Sequence, residues 1–175
     1  DDYLETGIED VAPPEALGED LLKKGMKMLL THISANDPVL VIVDADADGY
    51  TSSALLINYL YDLFPSFVEN NLHWFMHQGK QHGLNDCLEE CKKYKMILVP
   101  DAGSNDVEQH HTLRELGIDI LILDHHIVDK ESKDTIVINN QNSAYPNKEI
   151  SGVAVTWLFC KYFDKINNTN YADNY

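Results

Sequence analysis

Three aspartates, Asp44, Asp46 and Asp48, stand at alternate positions in VLVIVDADADGYTSS (39–53). Like charges this close repel one another, and each loses solvation on partial burial. They coexist either by splaying into water or by sharing a cation. Further along, Asp101 follows Pro100 in PDAGSND, and Asp124, His125 and His126 end the apolar run IDILILDHH. Carboxylate oxygens and imidazole nitrogens together suit a divalent first-row ion.

The elements that must position these groups alternate between helix and strand. The apolar spacing of Leu21, Leu22, Met26, Leu29, Leu30 and Ile33 predicts an amphipathic helix over 15–35, ended at Asp37-Pro38. VLVIV (39–43) is a continuous apolar run, as expected of a strand covered on both faces. A helix is expected over 51–64, capped by Thr51 or Ser52 and stopped by Pro65. Strands follow at 72–76, 95–99, 118–123 and 135–139, with helices at 84–94, 105–116 and 151–166 and a polar tail at 168–175. This alternation predicts an α/β domain, a mostly parallel five-stranded sheet with helices on both faces. In that architecture ligands gather at the carboxyl ends of the strands. Those ends carry Asp44, Asp46 and Asp48, then His77, then Asp101, then Asp124, His125 and His126.

Each of these groups has a plainer explanation. Asp48 or Asp106 after a strand could simply cap the next helix. Asp101 beside Gly103 could belong to a turn, and a histidine pair is often packed or exposed without a ligand. Taken together the plain explanations require four strand ends to acquire ligand chemistry independently. Trp74 and Tyr50 read as core or core-edge residues.

Composition sets limits. The 175 residues are 44% hydrophobic, enough for one domain with a real core. No apolar stretch approaches the roughly 20 residues that cross a bilayer. Thirteen basic residues against 29 acidic ones give a net charge of −16, which opposes non-specific contact with phosphate backbones. Lys80, Lys92, Lys93, Lys95 and Arg114 are scattered candidates for a basic groove. Cys87, Cys91 and Cys160 form no disulfide framework and fit a reducing compartment, the cytoplasm. Cys87 and Cys91 lack the second ligand pair of a zinc site and read as packed or surface thiols. The chain opens DDYLETG without methionine, as a fragment or processed chain would.

DADADGYTSS, PDAGSND, LDHH and SGVAVTW occur in the order and approximate spacing of the DHH phosphoesterase superfamily. The chain resembles in particular its RecJ-like single-strand exonuclease branch, which also shows a Gly-Leu like Gly83-Leu84 in QHGLN and a segment like INNQNSAYPNKEISGVA. The match spans roughly residues 35–165. The resemblance implies a DHH catalytic domain over 37–167, preceded by a helical segment at 1–36 that packs on it.

It further implies a phosphoesterase with two divalent ions, Mn²⁺ in preference to Mg²⁺, whose shared hydroxide hydrolyses a phosphodiester. By motif position Asp46 and Asp101, helped by Asp44, would hold one ion. Asp48, Asp101 and His125 would hold the other, with Asp101 bridging. Asp124 would orient the histidine side, and His126 would face the substrate phosphate. Relatives often carry histidine where this chain has Ile42, a loss for which Asp44 compensates. The family's further metal-ligating Asp and its C-terminal substrate-binding domain are expected beyond Tyr175. The implied substrate is single-stranded nucleic acid. A phosphodiesterase of short oligonucleotides or cyclic dinucleotides, and a non-catalytic scaffold for replication or repair partners, are the alternatives.

Overall fold

The structure, a computed structural model, describes residues 11–79 and 81–175. Lys80 and the first ten residues of the expected N-terminal segment lie outside that range.

Helix α1 (Glu19–Ala35) leads into strand β1 (Val39–Val43) and helix α2 (Ala47–Leu63). Helix α3 (Pro65–Asn71), strand β2 (Leu72–Met76) and the single-turn helix α4 (Leu88–Cys91) follow. Strand β3 (Met96–Pro100), helix α5 (Val107–Glu115), strands β4 (Asp119–Asp124) and β5 (Ile136–Asn139), and helix α6 (Gly152–Asn167) complete the order. All four strand pairings are parallel, in the order β2-β1-β3-β4-β5.

Strand residues alternate between two apolar layers, as the period of two demands. Val39, Val41, Val43, Leu98, Leu121 and Leu123 pack under α1, α2 and α6. Leu40, Ile42, Ile97, Val99, Ile120 and Ile122 pack with Leu113 of α5 and the Leu84–Cys91 segment. Both faces are covered, which is why β1, β3 and β4 read as unbroken apolar runs. The chain leaves β1 toward one edge of the sheet and returns through β3 toward the other. The loops after β1 and β3 therefore diverge and leave a crevice at their carboxyl ends.

Several local expectations change. Helix α2 starts four residues earlier than expected, because Asp46 caps it by accepting from Gly49 N at 2.8 Å. Thr51 and Ser52 lie inside the helix. Pro65 both ends α2 and, as a first-turn residue with its φ already helical, begins α3. The helix expected over 84–94 is a 3-10 turn at Asn85–Cys87 plus the single turn of α4. Trp74 and Tyr50 are 59% and 43% exposed rather than core. β2 is an edge strand paired only with β1, which leaves Trp74 uncovered. The tail folds back as a 3-10 turn at Tyr171–Asn174, where Trp157 Nε1 donates to Ala172 O at 3.0 Å. Among the described residues no helix is long and apolar enough to cross a membrane.

Candidate metal centre

The carboxyl end of β1 delivers Asp44, which is 3% exposed and whose Oδ1 has no hydrogen-bond partner. Asp46, exposed, keeps one oxygen on the Gly49 amide as the α2 cap. Asp48, in the first turn of α2, reaches the N-terminus of α6. Its Oδ2 accepts from Gly152 N at 2.7 Å and its Oδ1 from Val153 N at 2.9 Å. Those amides have no partner within their own helix, and the positive end of the helix dipole favours a carboxylate there. Asp48 thus fastens α2 to α6 beside the crevice.

Asp101, at the end of β3, sits in left-handed backbone with φ +73°. Its N–H donates to Leu123 O at 2.7 Å, so the strand pairing holds the unusual conformation. The side chain is 1% exposed and Oδ1 has no hydrogen-bond donor. Burial, then the charges of Asp48 and Asp46, push its carboxyl up to about 8.

His125 Nδ1 lies 3.0 Å from Ile150 O. In the neutral ring that bond puts the hydrogen on Nδ1 and the lone pair on Nε2. Nε2 stands 3.2 Å from Asp101 Oδ1 and 3.5 Å from Asp48 Oδ2. Once Asp101 is ionised, three electron-pair donors face one another with no hydrogen between them. A cation among them turns this repulsion into coordination.

Asp124 is differently placed. It is 1% exposed, and its Oδ1 accepts from His125 N, His126 N and His126 Nδ1 at 2.7, 3.2 and 2.8 Å. Its Oδ2 accepts from Ser104 N at 3.0 Å. Burial alone would raise its pKa, but the bonds from His126 and Ser104 outweigh burial and hold it well below the carboxylate range. The same partnership, opposed by burial, raises His126 to about 9. Asp124 orients His126, while the Ile150 carbonyl orients His125.

The ligand-bearing atoms fall into two groups, each with its atoms within 4.8 Å of one another: Asp44, Asp46 and Asp101, and Asp101, His125 and His126. Asp101 is common to both. Asp48 lies beside the second group through its 3.5 Å approach to His125. Two unpartnered buried carboxylate oxygens and a free imidazole lone pair fit a hard-to-borderline divalent ion. Cys87 and Cys91 are buried with their sulfurs 3.8 Å apart and belong to neither group. Asp106 makes no side-chain cap to α5; its Oδ2 accepts from Leu84 N at 2.7 Å across the β2–α4 loop.

Residues not singled out by their spacing complete the surroundings. Asn139 donates to His126 O at 2.9 Å and Gln141 to His125 O at 3.0 Å, so the segment after β5 fixes the backbone of the histidine pair. His82, from the β2–α4 loop, bonds through Nδ1 to Asp44 Oδ2. A histidine directly before Gly83-Leu84 was the visible signal, but nothing in the spacing directs that loop back onto β1. Asp164 is removed from the metal question, since it accepts from Tyr59 Oη at 3.0 Å and Ala172 N at 2.7 Å.

Comparison with known proteins shows the family. YorK of Bacillus subtilis, named as an SPbeta prophage-derived single-strand DNA-specific exonuclease, is 35% identical over 156 residues, covering 88% of this chain and 26% of YorK. The single-stranded-DNA-specific exonuclease RecJ of the same species is 29% identical over 144 residues, covering 77% of this chain and 18% of RecJ. The chain therefore spans about a quarter or less of these relatives. The crystal structure of RecJ with Mn²⁺ from Thermus thermophilus superposes with a TM-score of 0.68 at 19% identity, over 86% of this chain and 22% of that one. The model of the DHH family's N-terminal domain matches residues 38–175, and the chain belongs to the DHH family.

Proposed function

We propose that this chain is the catalytic lobe of a divalent-metal-dependent exonuclease that cleaves phosphodiesters in single-stranded DNA. The observation that carries the reading is Asp101. Its buried, donorless Oδ1 faces the His125 lone pair at 3.2 Å, at the point where two groups of ligand atoms meet. Two ions would be held by Asp44, Asp46 and Asp101, and by Asp101, His125 and Asp48, and would supply Lewis acidity and an activated water. Relatives named as single-strand DNA-specific exonucleases support the substrate class.

The chain's own residues do the rest. Asp48, tied to the α6 amides, keeps its carboxylate aimed at the histidine side. The Ile150 carbonyl presents His125 Nε2 as a ligand. Asp124 holds the His126 ring by Nδ1, so that Nε2 is left to donate to a phosphoryl oxygen and offset charge that builds there in the transition state. An imidazole ligand favours Mn²⁺ over Mg²⁺, which prefers all-oxygen shells rich in water.

A second reading keeps the chemistry and changes the substrate. A net charge of −16 suits a small closed pocket for short oligonucleotides or cyclic dinucleotides better than a basic groove along a strand. One experiment separates the two. The full-length protein is assayed with Mn²⁺ or Mg²⁺ on end-labelled single strands, dinucleotides and cyclic dinucleotides, with Asp101→Asn as control. Turnover of long strands with Mn²⁺, lost in the variant, supports the exonuclease. Turnover confined to dinucleotides refutes it, and equal or better rates with Mg²⁺ refute the metal preference.

A further inference from the structure

We propose that His82 is a further substrate-contacting residue, which with His126 grips one phosphoryl group in the crevice. This rests on the phosphodiester reading above and extends it to a residue outside the DHH and DxDxDG motifs. His82 lies on the β2–α4 loop and bonds through Nδ1 to Asp44 Oδ2, a carboxylate that is 3% exposed. His126 lies after β4 and bonds through Nδ1 to Asp124 Oδ1 at 2.8 Å, a carboxylate that is 1% exposed. The two pairs are built alike: a buried aspartate holds Nδ1, and Nε2 has no hydrogen-bond partner among the described residues. The rings stand edge to face, 5.5 Å between centroids and 81° between planes. Both side chains remain about half exposed, at 53% and 46%, so a ligand entering from solvent meets them first.

The spacing suits a phosphoryl group. With ring centroids 5.5 Å apart, the two imidazoles are near enough for each to donate an N–H···O bond of about 2.8 Å to a different oxygen of one phosphate. The loop that carries His82 is fastened on both sides of it. His77 Nε2 bonds to Gly83 O at 2.7 Å, and Leu84 N donates to Asp106 Oδ2 at 2.7 Å. Gly83 has φ +63° and packs directly on the Asp106 carboxylate, a place no side chain could occupy. A residue needed only to cover the crevice would not require an anchored loop. Among the described residues, no Lys or Arg bonds to Asp44, Asp46, Asp48, Asp101, Asp124 or the site histidines, so imidazoles are the available nitrogen donors to an anionic substrate.

His82 could instead act only by orienting Asp44, and the two roles give different results. In His82→Asn the short amide retains a donor where Nδ1 lies and keeps the Asp44 bond, while the Nε2 position is lost. In His82→Gln the amide reaches the Nε2 position and releases Asp44. Both variants and the parent are compared in the full-length protein by calorimetry, first with Mn²⁺ alone and then with a phosphorothioate thymidine dinucleotide at saturating Mn²⁺. Imidazole ¹⁵N shifts are recorded in parallel with diamagnetic Mg²⁺ in place of Mn²⁺, whose unpaired electrons broaden signals close to it. The expected result is that His82→Asn holds Mn²⁺ within threefold of the parent and binds the dinucleotide about tenfold more weakly. His82→Gln recovers part of the dinucleotide affinity, and Nε2 of both His82 and His126 shifts on binding in the parent. Unchanged dinucleotide affinity in His82→Asn, or a shift confined to His126, overturns the proposal and leaves the phosphodiester reading intact. A parent protein that binds Mn²⁺ but not the dinucleotide overturns that reading, and this one with it.

Discussion

Replacing Gly152 by alanine sets a methyl group against the shared carboxylate of the proposed metal centre. A Cβ on Gly152 would lie 2.8 Å from both Cβ and Cγ of Asp101, and nearer still to Oδ1. Carbon atoms in contact stand about 3.5–4.0 Å apart, so about 1 Å must be found. Asp101 cannot supply it, because it is 1% exposed and its backbone is pinned to Leu123 O at 2.7 Å. The first turn of α6 must move instead. That motion stretches the bonds from Gly152 N and Val153 N to Asp48, now 2.7 and 2.9 Å. One substitution therefore crowds one proposed ligand carboxylate, Asp101, and displaces another, Asp48, without changing either. A misplacement of about 1 Å at a reacting centre costs about 100-fold in rate, and a disturbed ligand support costs about 10–100-fold in metal affinity. Overpacking of this kind also destabilises by about 1–3 kcal/mol. Calorimetric Mn²⁺ titration of the parent and Gly152→Ala, with a thermal melt to show that the variant is folded, measures both effects. A folded variant that binds Mn²⁺ within threefold of the parent would refute the placement of Asp101 and Asp48 in the centre.

Three further outcomes follow from the same contacts. Above pH 8, where Asp101 is ionised, Asp101→Asn removes a buried charge facing Asp46 and Asp48, so the metal-free chain should melt a few degrees higher while Mn²⁺ affinity falls about 100-fold; a lower melting temperature without metal would show that the carboxylates do not repel there. His110 is fully buried, and burial lowers its pKa from 6.5 to about 4. Below pH 6.5 the unfolded chain takes up a proton that the folded one refuses, so stability falls as the pH drops from 6.5 toward 4. By linkage this loss is about 2 kcal/mol at pH 5; urea denaturation of His110→Leu at pH 7.5 and pH 5 should show the acid loss reduced by that amount, and an unchanged loss would contradict it. Tyr59→Phe deletes the buried 3.0 Å bond to Asp164 and should cost about 1.5–3 kcal/mol in denaturant unfolding while leaving Mn²⁺ affinity unchanged.

The strands and the chemistry at their ends were legible along the chain because both are local. VLVIV, MILVP and ILIL (120–123) are apolar without interruption since each is covered on both faces, and the ligand-type residues stand immediately after them. Helix starts were less legible. Asp46 caps α2 where Thr51 or Ser52 was expected, because the cap depends on the turn the backbone takes after β1 rather than on residue type alone. The segment around Cys87, expected as helix over 84–94, is largely a turn fastened to Asp106.

What the sequence by itself determined is the sheet and the set of donors at its carboxyl edge, since unbroken apolar runs and the residues ending each of them need no knowledge of distant contacts. Tertiary structure decided which donors remain free. Asp124 and His126 bond to one another, Asp48 is held by amides 104 and 105 residues away, and Asp101 Oδ1 is left buried without a donor. It also brought His82 to Asp44 across 38 residues. The physical reason is that a carboxylate's role depends on what fills its lone pairs, and those partners come from elements that meet only when β1, β3, β4 and α6 close around one crevice.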